Sequence, residues 1–114
     1  MRNNLDKHDE INRDVLMFIG RFTTDKDGKY RTQVFDAFLN GGCYWFSYIL
    51  SIRFRAFNPT IVIDTVANHF ACRIDGKVYD ICGEVTGGYY EWTEWNKYDD
   101  EAHKKRITEY CVDF

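Results

Sequence analysis

The chain has 114 residues, a length that supports a single domain over residues 1–114 with one hydrophobic core. Hydrophobic residues make up 45% of the chain and aromatic residues 18%, so the composition predicts a globular protein and argues against disorder. The net charge of −3, with no basic run longer than residues 104–106, argues against nucleic acid and anionic membranes as partners.

The first half of the chain has helical periodicity. In residues 5–22 apolar side chains recur at three-to-four spacing between charged residues, which predicts an amphipathic helix. A polar turn leads to a second predicted helix over residues 31–39, which ends at the Asn-Gly-Gly of residues 40–42. A third helix is predicted over residues 43–55 and is closed before Pro59.

The second half has the composition of strands. The β-branched residues 60–66 predict a first strand. Residues 68–74 and 77–84 flank an Asp-Gly pair at 75–76, the strongest short signal for a β-hairpin. Residues 89–95 are interpreted as a further strand. Together these segments predict a small antiparallel sheet.

The charged segment at residues 99–110 predicts a terminal helix that begins on acidic residues. Helices followed by an antiparallel sheet indicate an α+β fold, with the N-terminal helices packed on the sheet. The N-terminus has no apolar signal segment, and no apolar run approaches the ~20 residues that span a bilayer. We therefore expect a cytoplasmic protein that does not enter the membrane.

In a reducing compartment the four cysteines are not expected to form disulfides. The cysteine and histidine spacings match no zinc pattern, so neither a metal nor another cofactor is predicted. Most of the cysteines are interpreted as small buried apolar residues. The four are Cys43, Cys72, Cys82 and Cys111.

Cys43 differs from the other cysteines in its position. It follows two glycines directly and opens the third predicted helix. Unpaired backbone N–H groups and the helix dipole at a helix start stabilise a thiolate, the nucleophilic form of cysteine. The N–H of Cys43 would also be suited to bind an oxyanion. Position alone favours a buried structural cysteine at a helix start.

The predicted hairpin brings a histidine and an aspartate together. A two-residue turn pairs Ile74 with Lys77, which puts His69 and Asp80 on one face of the sheet about 7 Å apart at Cα. At that distance a carboxylate orients an imidazole and stabilises its protonated form. A three-residue turn would put the two residues on opposite faces. Together with Cys43, they predict a Cys-His-Asp triad.

Two segments resemble the papain-like cysteine-protease superfamily, and more closely its transglutaminase-like branch. Residues 42–47 (GCYWFS) are similar to the Gly-x-Cys-Trp-x-Phe motif of that family, with the tryptophan displaced by one position. Residues 68–80 are similar to its histidine strand, tight turn and aspartate strand. The resemblance covers residues 40–86 and implies a papain-like core. It also implies that Cys43 is the nucleophile.

The resemblance further implies that His69 is the base and Asp80 its orienting residue. The glutamine that precedes the cysteine in the family has no counterpart at its usual distance. Asn40 or Gln33 would take its place in the oxyanion hole, and Asn40 is preferred. Trp45 is expected beside the site.

These observations predict a small cysteine hydrolase or acyltransferase that acts on an amide or thioester of a protein or peptide substrate. Peptidase, deamidase and transglutaminase-like reactions share this machinery, and the sequence does not choose among them. The alternative is a non-catalytic binding or inhibitory module of the same fold, acting on a protein partner. A third interpretation is a structural subunit in which His69 and Asp80 tolerate alanine. The oligomeric state stays open.

Overall fold

The computed structural model describes residues 4–39 and 41–112. The N-terminal half is helical, as predicted. It contains α1 (Asn4–Thr23), α2 (Thr32–Leu39) and α3 (Cys43–Arg53). A 3₁₀ turn at Arg55–Phe57 and a left-handed Asn58 (φ 51°) follow α3 and end the helical region.

The second half forms one antiparallel sheet, which confirms the α+β class. Its strands are β1 (Thr60–Asp64), β2 (His69–Ile74), β3 (Lys77–Asp80), β4 (Gly83–Glu84) and β5 (Thr93–Glu94). The order across the sheet is β4-β3-β2-β1-β5. The first four strands form a meander, while β5 pairs with the outer side of β1.

The β2–β3 hairpin has the predicted register. Ile74 pairs with Lys77 across the turn. Asp75 and Gly76 both have positive φ values, 54° and 81°, as a two-residue hairpin turn of the type favoured by Asp-Gly requires. His69 and Asp80 therefore lie on one face of the sheet, at the end opposite the turn.

Two predicted strands differ from the structure. The segment predicted as one strand over residues 77–84 forms two strands. The chain reverses direction at Ile81 and Cys82, and Gly83 then pairs with Asp80. The strand predicted over residues 89–95 is limited to Thr93–Glu94. Residues 85–92 instead cross one face of the sheet, where Val85 and Trp92 cover its buried side chains.

The helices cover the other face. Apolar side chains of α1 and α3 pack there against β2 and β3 in the main core, with Leu50 and Tyr79 fully buried. A second cluster joins the start of α3 to the C-terminal segment, which consists of α4 (Glu101–Ile107) and a π-helical turn (Thr108–Val112). None of the helices in the described part of the chain is long and apolar enough to cross a bilayer.

Candidate active site

His69 and Asp80 form a buried pair at the open end of the hairpin. Nε2 of His69 lies 2.8 Å from Oδ2 of Asp80, and the two residues are 7% and 5% exposed. The other carboxylate oxygen, Oδ1, accepts a hydrogen bond from the backbone N–H of Cys82 at 2.8 Å. The backbone after β3 thus fixes the position of the Asp80 carboxylate, and the carboxylate fixes the orientation of the His69 imidazole.

Cys43 is the first residue of α3 and is 5% exposed. Its Sγ accepts a hydrogen bond from the N–H of Phe70, with 3.5 Å between the two atoms. The His69 imidazole lies close enough to the thiol to lower the pKa of Cys43 through its side-chain N–H and its charge. Because Asp80 engages Nε2 of His69, Nδ1 is the ring nitrogen that remains for the thiol. The structure therefore brings the three predicted triad residues together.

A glycine immediately before Cys43 permits this helix start. The N–H of Gly42 donates to the carbonyl oxygen of Ala37 at 3.0 Å, which folds the chain back onto α2. A Cβ at position 42 would lie 2.5 Å from that same oxygen, closer than real Cβ atoms approach. Only glycine therefore allows the close approach that begins α3 at Cys43.

The ionisation of Cys43 and His69 is coupled. Burial raises the pKa of the Cys43 thiol, but hydrogen bonds from His69 and from the N–H groups of Phe70 and Tyr44 outweigh it and hold the pKa below its ordinary value of 9.0. Burial lowers the pKa of His69, but hydrogen bonds to Asp80 and Cys43 outweigh it and raise the pKa from 6.5 to about 9. Both shifts favour a thiolate beside an imidazolium.

The other three thiols shift in the opposite direction. Burial raises the pKa of Cys72 to about 12, and it also raises the pKa of Cys82 and of Cys111. Cys43 is therefore the one cysteine of the chain whose surroundings favour the thiolate.

An aromatic wall that the sequence did not predict stands against His69. The ring of Tyr90 lies 5.0 Å from the imidazole, centroid to centroid, and tilts 31° from it, and Trp92 lies 6.0 Å away. Trp92 is held by a hydrogen bond from its indole N–H to the carbonyl of Val85. Tyr90 and Trp92 pack on the candidate base, whereas Tyr89 is 88% exposed.

Asp64 anchors the loop that carries this wall. It pairs with His69 in the β1–β2 register, so the two side chains share a face. Its Oδ1 accepts from the N–H groups of Val66 and Ala67, and its Oδ2 accepts from the N–H of Glu91 at 3.0 Å. Burial raises the pKa of Asp64, but these three hydrogen bonds outweigh it and hold the pKa below 3.8. An aspartate at the end of a β-branched strand was the available sequence signal.

The remaining predicted site residues do not join the triad. Trp45 is 40% exposed and its ring contacts those of Tyr44 and Tyr48. Gln33 is exposed on α2, and the described residues include no contact between it and the triad. Asn40 lies outside the described residues. Over residues 4–39 and 41–112, no group of three His, Cys, Asp or Glu residues could hold a metal ion.

A family model described as Phage YunG-like protein matches residues 18–112. The chain belongs to this family. No curated protein matches the chain, and no solved structure matches it. The range matched by the phage YunG-like family contains Cys43, His69 and Asp80 as well as the aromatic wall, so the whole candidate site belongs to the family's domain.

Proposed function

We propose that the protein is a small cysteine hydrolase or acyltransferase that acts on an amide or thioester carbonyl of a protein or peptide substrate. Cys43 is the nucleophile, His69 the proton carrier and Asp80 the residue that orients His69. The observation that carries the proposal is the placement of Cys43, whose Sγ accepts from the N–H of Phe70, beside the buried His69–Asp80 pair; there the pKa of the thiol is lowered and that of the imidazole is raised. Perturbed ionisation of this kind is typical of catalytic groups.

The reaction begins with the Cys43 thiolate. Its Sγ attacks the carbonyl carbon, and the tetrahedral intermediate collapses to an acyl-enzyme when the His69 imidazolium gives its proton to the leaving amine or thiol. A water or an acceptor amine, deprotonated by His69, then attacks the acyl carbon and releases Cys43. Water gives hydrolysis and an amine gives transfer, so acceptor access decides between them.

The oxyanion would be stabilised at the start of α3. Gly42, the N-cap, makes no side-chain capping hydrogen bond, and the described residues include no acceptor for the Cys43 N–H. The helix dipole adds positive potential at the same place. Backbone donors of this type, fixed before reaction, stabilise developing negative charge.

The chain order of the site also supports a papain-like core of the transglutaminase-like branch. The nucleophile opens a helix, the histidine opens the second strand of the sheet, and the aspartate ends the next strand. Reduced thiols are needed for this chemistry, which fits action in a reducing compartment such as the cytoplasm.

A second candidate function is a binding or inhibitory module of the same fold. The observation that favours it is the burial of the site, since Cys43 and His69 are only 5% and 7% exposed. A substrate carbonyl would have to displace part of the cover to reach Sγ. In a binding module no such movement is needed, and the His69–Asp80 pair serves packing alone.

The pH dependence of Cys43 alkylation by iodoacetamide, resolved by peptide mass spectrometry, separates the two. We expect the wild-type rate to reach half its maximum below pH 9.0. In His69→Ala we expect the midpoint to move above that value, because burial remains while the imidazole is lost. Alkylation at pH 7 then falls by about tenfold for each unit of the rise.

Two controls belong to this experiment. Cys82 is exposed and its pKa is raised, so its alkylation reports a thiol without activation within the same sample. His8→Ala removes another histidine beside a carboxylate, Asp75, at an exposed position far along the chain from any cysteine, and it should leave the Cys43 profile unchanged. Identical Cys43 midpoints in wild type and His69→Ala would exclude the Cys–His pair and favour the binding module.

A further inference from the structure

A second thiol, Cys111, lies beside the candidate nucleophile. It belongs to the π-helical turn Thr108–Val112, which follows α4 and packs directly against α3. Cys43 and Cys111 share the hydrophobic cluster built around Phe70 and Ile107. Burial raises the pKa of Cys111, and the nearby Cys43 charge raises it further. Isolated π-helical turns are frequent at functional sites.

Cys111 also lines a small cavity of about 330 Å³. The cavity lies between the start of β2 and the C-terminal segment, since its wall includes Asn68, the residue before His69, as well as Arg106 and Tyr110. This volume is at the lower limit of ordinary ligand pockets. A small oxidant can therefore reach Cys111, and through it the hydrophobic cluster that Cys111 shares with Cys43, from a side on which a peptide would not fit.

We propose that Cys43 and Cys111 form a dithiol that a hydroperoxide oxidises to a disulfide, with Cys43 as the reacting thiol and Cys111 as the resolving one. The reaction uses the same Cys43 thiolate as the proposed acyl transfer but does not depend on it. Low-pKa cysteines next to a resolving cysteine are the usual sites of reversible oxidation.

The two steps balance without a further reactant. The Cys43 thiolate attacks the terminal oxygen of the hydroperoxide, the O–O bond breaks, and the leaving alkoxide or hydroxide takes a proton from the His69 imidazolium. Cys43 is then a sulfenic acid. The Cys111 sulfur attacks the Cys43 sulfur, the S–O bond breaks, and hydroxide leaves with the thiol proton as water. Two thiols and one hydroperoxide thus give one disulfide, one alcohol or water, and one water.

Neither remaining cysteine is suited to resolve Cys43. Cys72 points into the main core between α1, α3 and the sheet, in a cluster that does not contain Cys43. Cys82 is exposed in the turn after β3, and its N–H is bound to Asp80. The structure therefore selects one pairing of the three available to Cys43.

The test treats the fully reduced protein with one to a few equivalents of hydrogen peroxide, followed by intact mass and non-reducing peptide mapping. We expect the loss of two hydrogen atoms per chain and a fall from four free thiols to two. The peptides of Cys43 and Cys111 should be joined, and a dithiol reductant should restore four thiols. Oxidation of Cys43 to sulfinic acid without a cross-link, or a disulfide to Cys72 or Cys82, would overturn the proposal.

Variants sharpen this test. In Cys111→Ser the reaction should stop at the sulfenic acid, which dimedone traps as an adduct on Cys43, whereas the matched control Cys82→Ser should form the disulfide at the wild-type rate. A Cys111→Ser protein that loses its peroxide reactivity at Cys43 would contradict the assigned roles. The peptide map of the oxidised wild-type protein tests the pairing even if a variant fails to fold. None of these readouts depends on amide or thioester turnover, so failure here leaves the proposed acyl transfer standing, and the reverse also holds.

Discussion

The ionisation of Cys43 and His69 depends on which of the two side chains holds the proton between them. Burial of both side chains favours the neutral thiol and the neutral imidazole. Two interactions oppose it: Nε2–H of His69 donates to Oδ2 of Asp80, and the imidazole and the thiol stabilise each other's charged forms. The ring of Tyr90 packs against the imidazole at 5.0 Å, centroid to centroid. The charge state of the Cys43–His69 pair therefore depends on its surroundings, above all on Asp80.

The Asp80→Asn variant tests the contribution of the carboxylate. An amide keeps an oxygen for the Cys82 N–H but no longer stabilises the imidazolium, so we expect the pKa of His69 to fall from about 9 towards its ordinary value of 6.5. In the wild type the raised pKa contributes stability that is complete below pH 6.5 and is lost as the pH rises through about 9. The wild type should thus exceed the variant by up to about 3 kcal/mol near pH 6, and the gap should close by pH 9.

Histidine NMR titration and urea unfolding at several pH values measure these two quantities. The matched control is Asp75→Asn, which removes a partly buried carboxylate beside the exposed His8 and keeps a residue suited to the hairpin turn. A His69 pKa that stays near 9 in Asp80→Asn would show that the carboxylate does not hold the imidazolium.

At the scale of elements, the start of α3 depends on Gly42, a position at which any side chain would clash with the backbone. In Gly42→Ala the new Cβ meets the backbone oxygen of Ala37, so either the α2–α3 turn or the helix start must shift. We expect a loss of about 1–3 kcal/mol in the free energy of unfolding and a Cys43 alkylation midpoint displaced upward. Chemical denaturation and the alkylation profile report these effects.

Gly20→Ala is the matched control, because a Cβ at this position in α1 meets nothing within 4 Å. Alanine replaces glycine in an open helical position there, which should stabilise the protein by up to about 1 kcal/mol. Equal losses in both variants would mean that the close approach at Gly42 does not matter.

The elements also explain what the sequence could predict. The β2–β3 register followed from Asp75 and Gly76 alone, because a two-residue turn fixes every facing pair, and the His69–Asp80 contact followed from that register. Residues 85–92 were different. Their path depends on Asp64 holding the N–H of Glu91 and on Trp92 covering the sheet, two contacts between segments far apart in the chain. No local pattern encodes such contacts.

The same reasoning applies to the C-terminal segment. Residues 99–110 read correctly as helical, but the π-helical turn that brings Cys111 to Cys43 has no recognised sequence signature. The aromatic motif at residues 42–47 was informative in a limited sense. It identified Cys43 as the candidate nucleophile, whereas Trp45 itself is 40% exposed.

At the scale of the whole molecule, the site is assembled from three distant segments. Cys43 comes from the helical half, His69 and Asp80 come from the sheet, and Cys111 comes from the C-terminal turn. None of these segments holds the geometry alone, because the thiol–imidazole contact crosses from α3 to β2. We therefore expect the activated thiol and the folded core to be lost together.

Leu50→Ala tests this coupling. Leu50 lies in the main core, about two helical turns after Cys43, and its side chain is fully buried. Truncation should therefore lower the free energy of unfolding by about 2–5 kcal/mol. Ile52→Ala, at a 53% exposed position of the same helix, should change stability by about 0.5 kcal/mol or less. As urea rises, the Cys43 alkylation midpoint should move to that of the fully unfolded chain over the range in which circular dichroism reports unfolding. Leu50→Ala should shift both curves equally to lower urea. A thiol that loses its activation well before the helices melt would show instead that the site opens locally, on a core that stays folded.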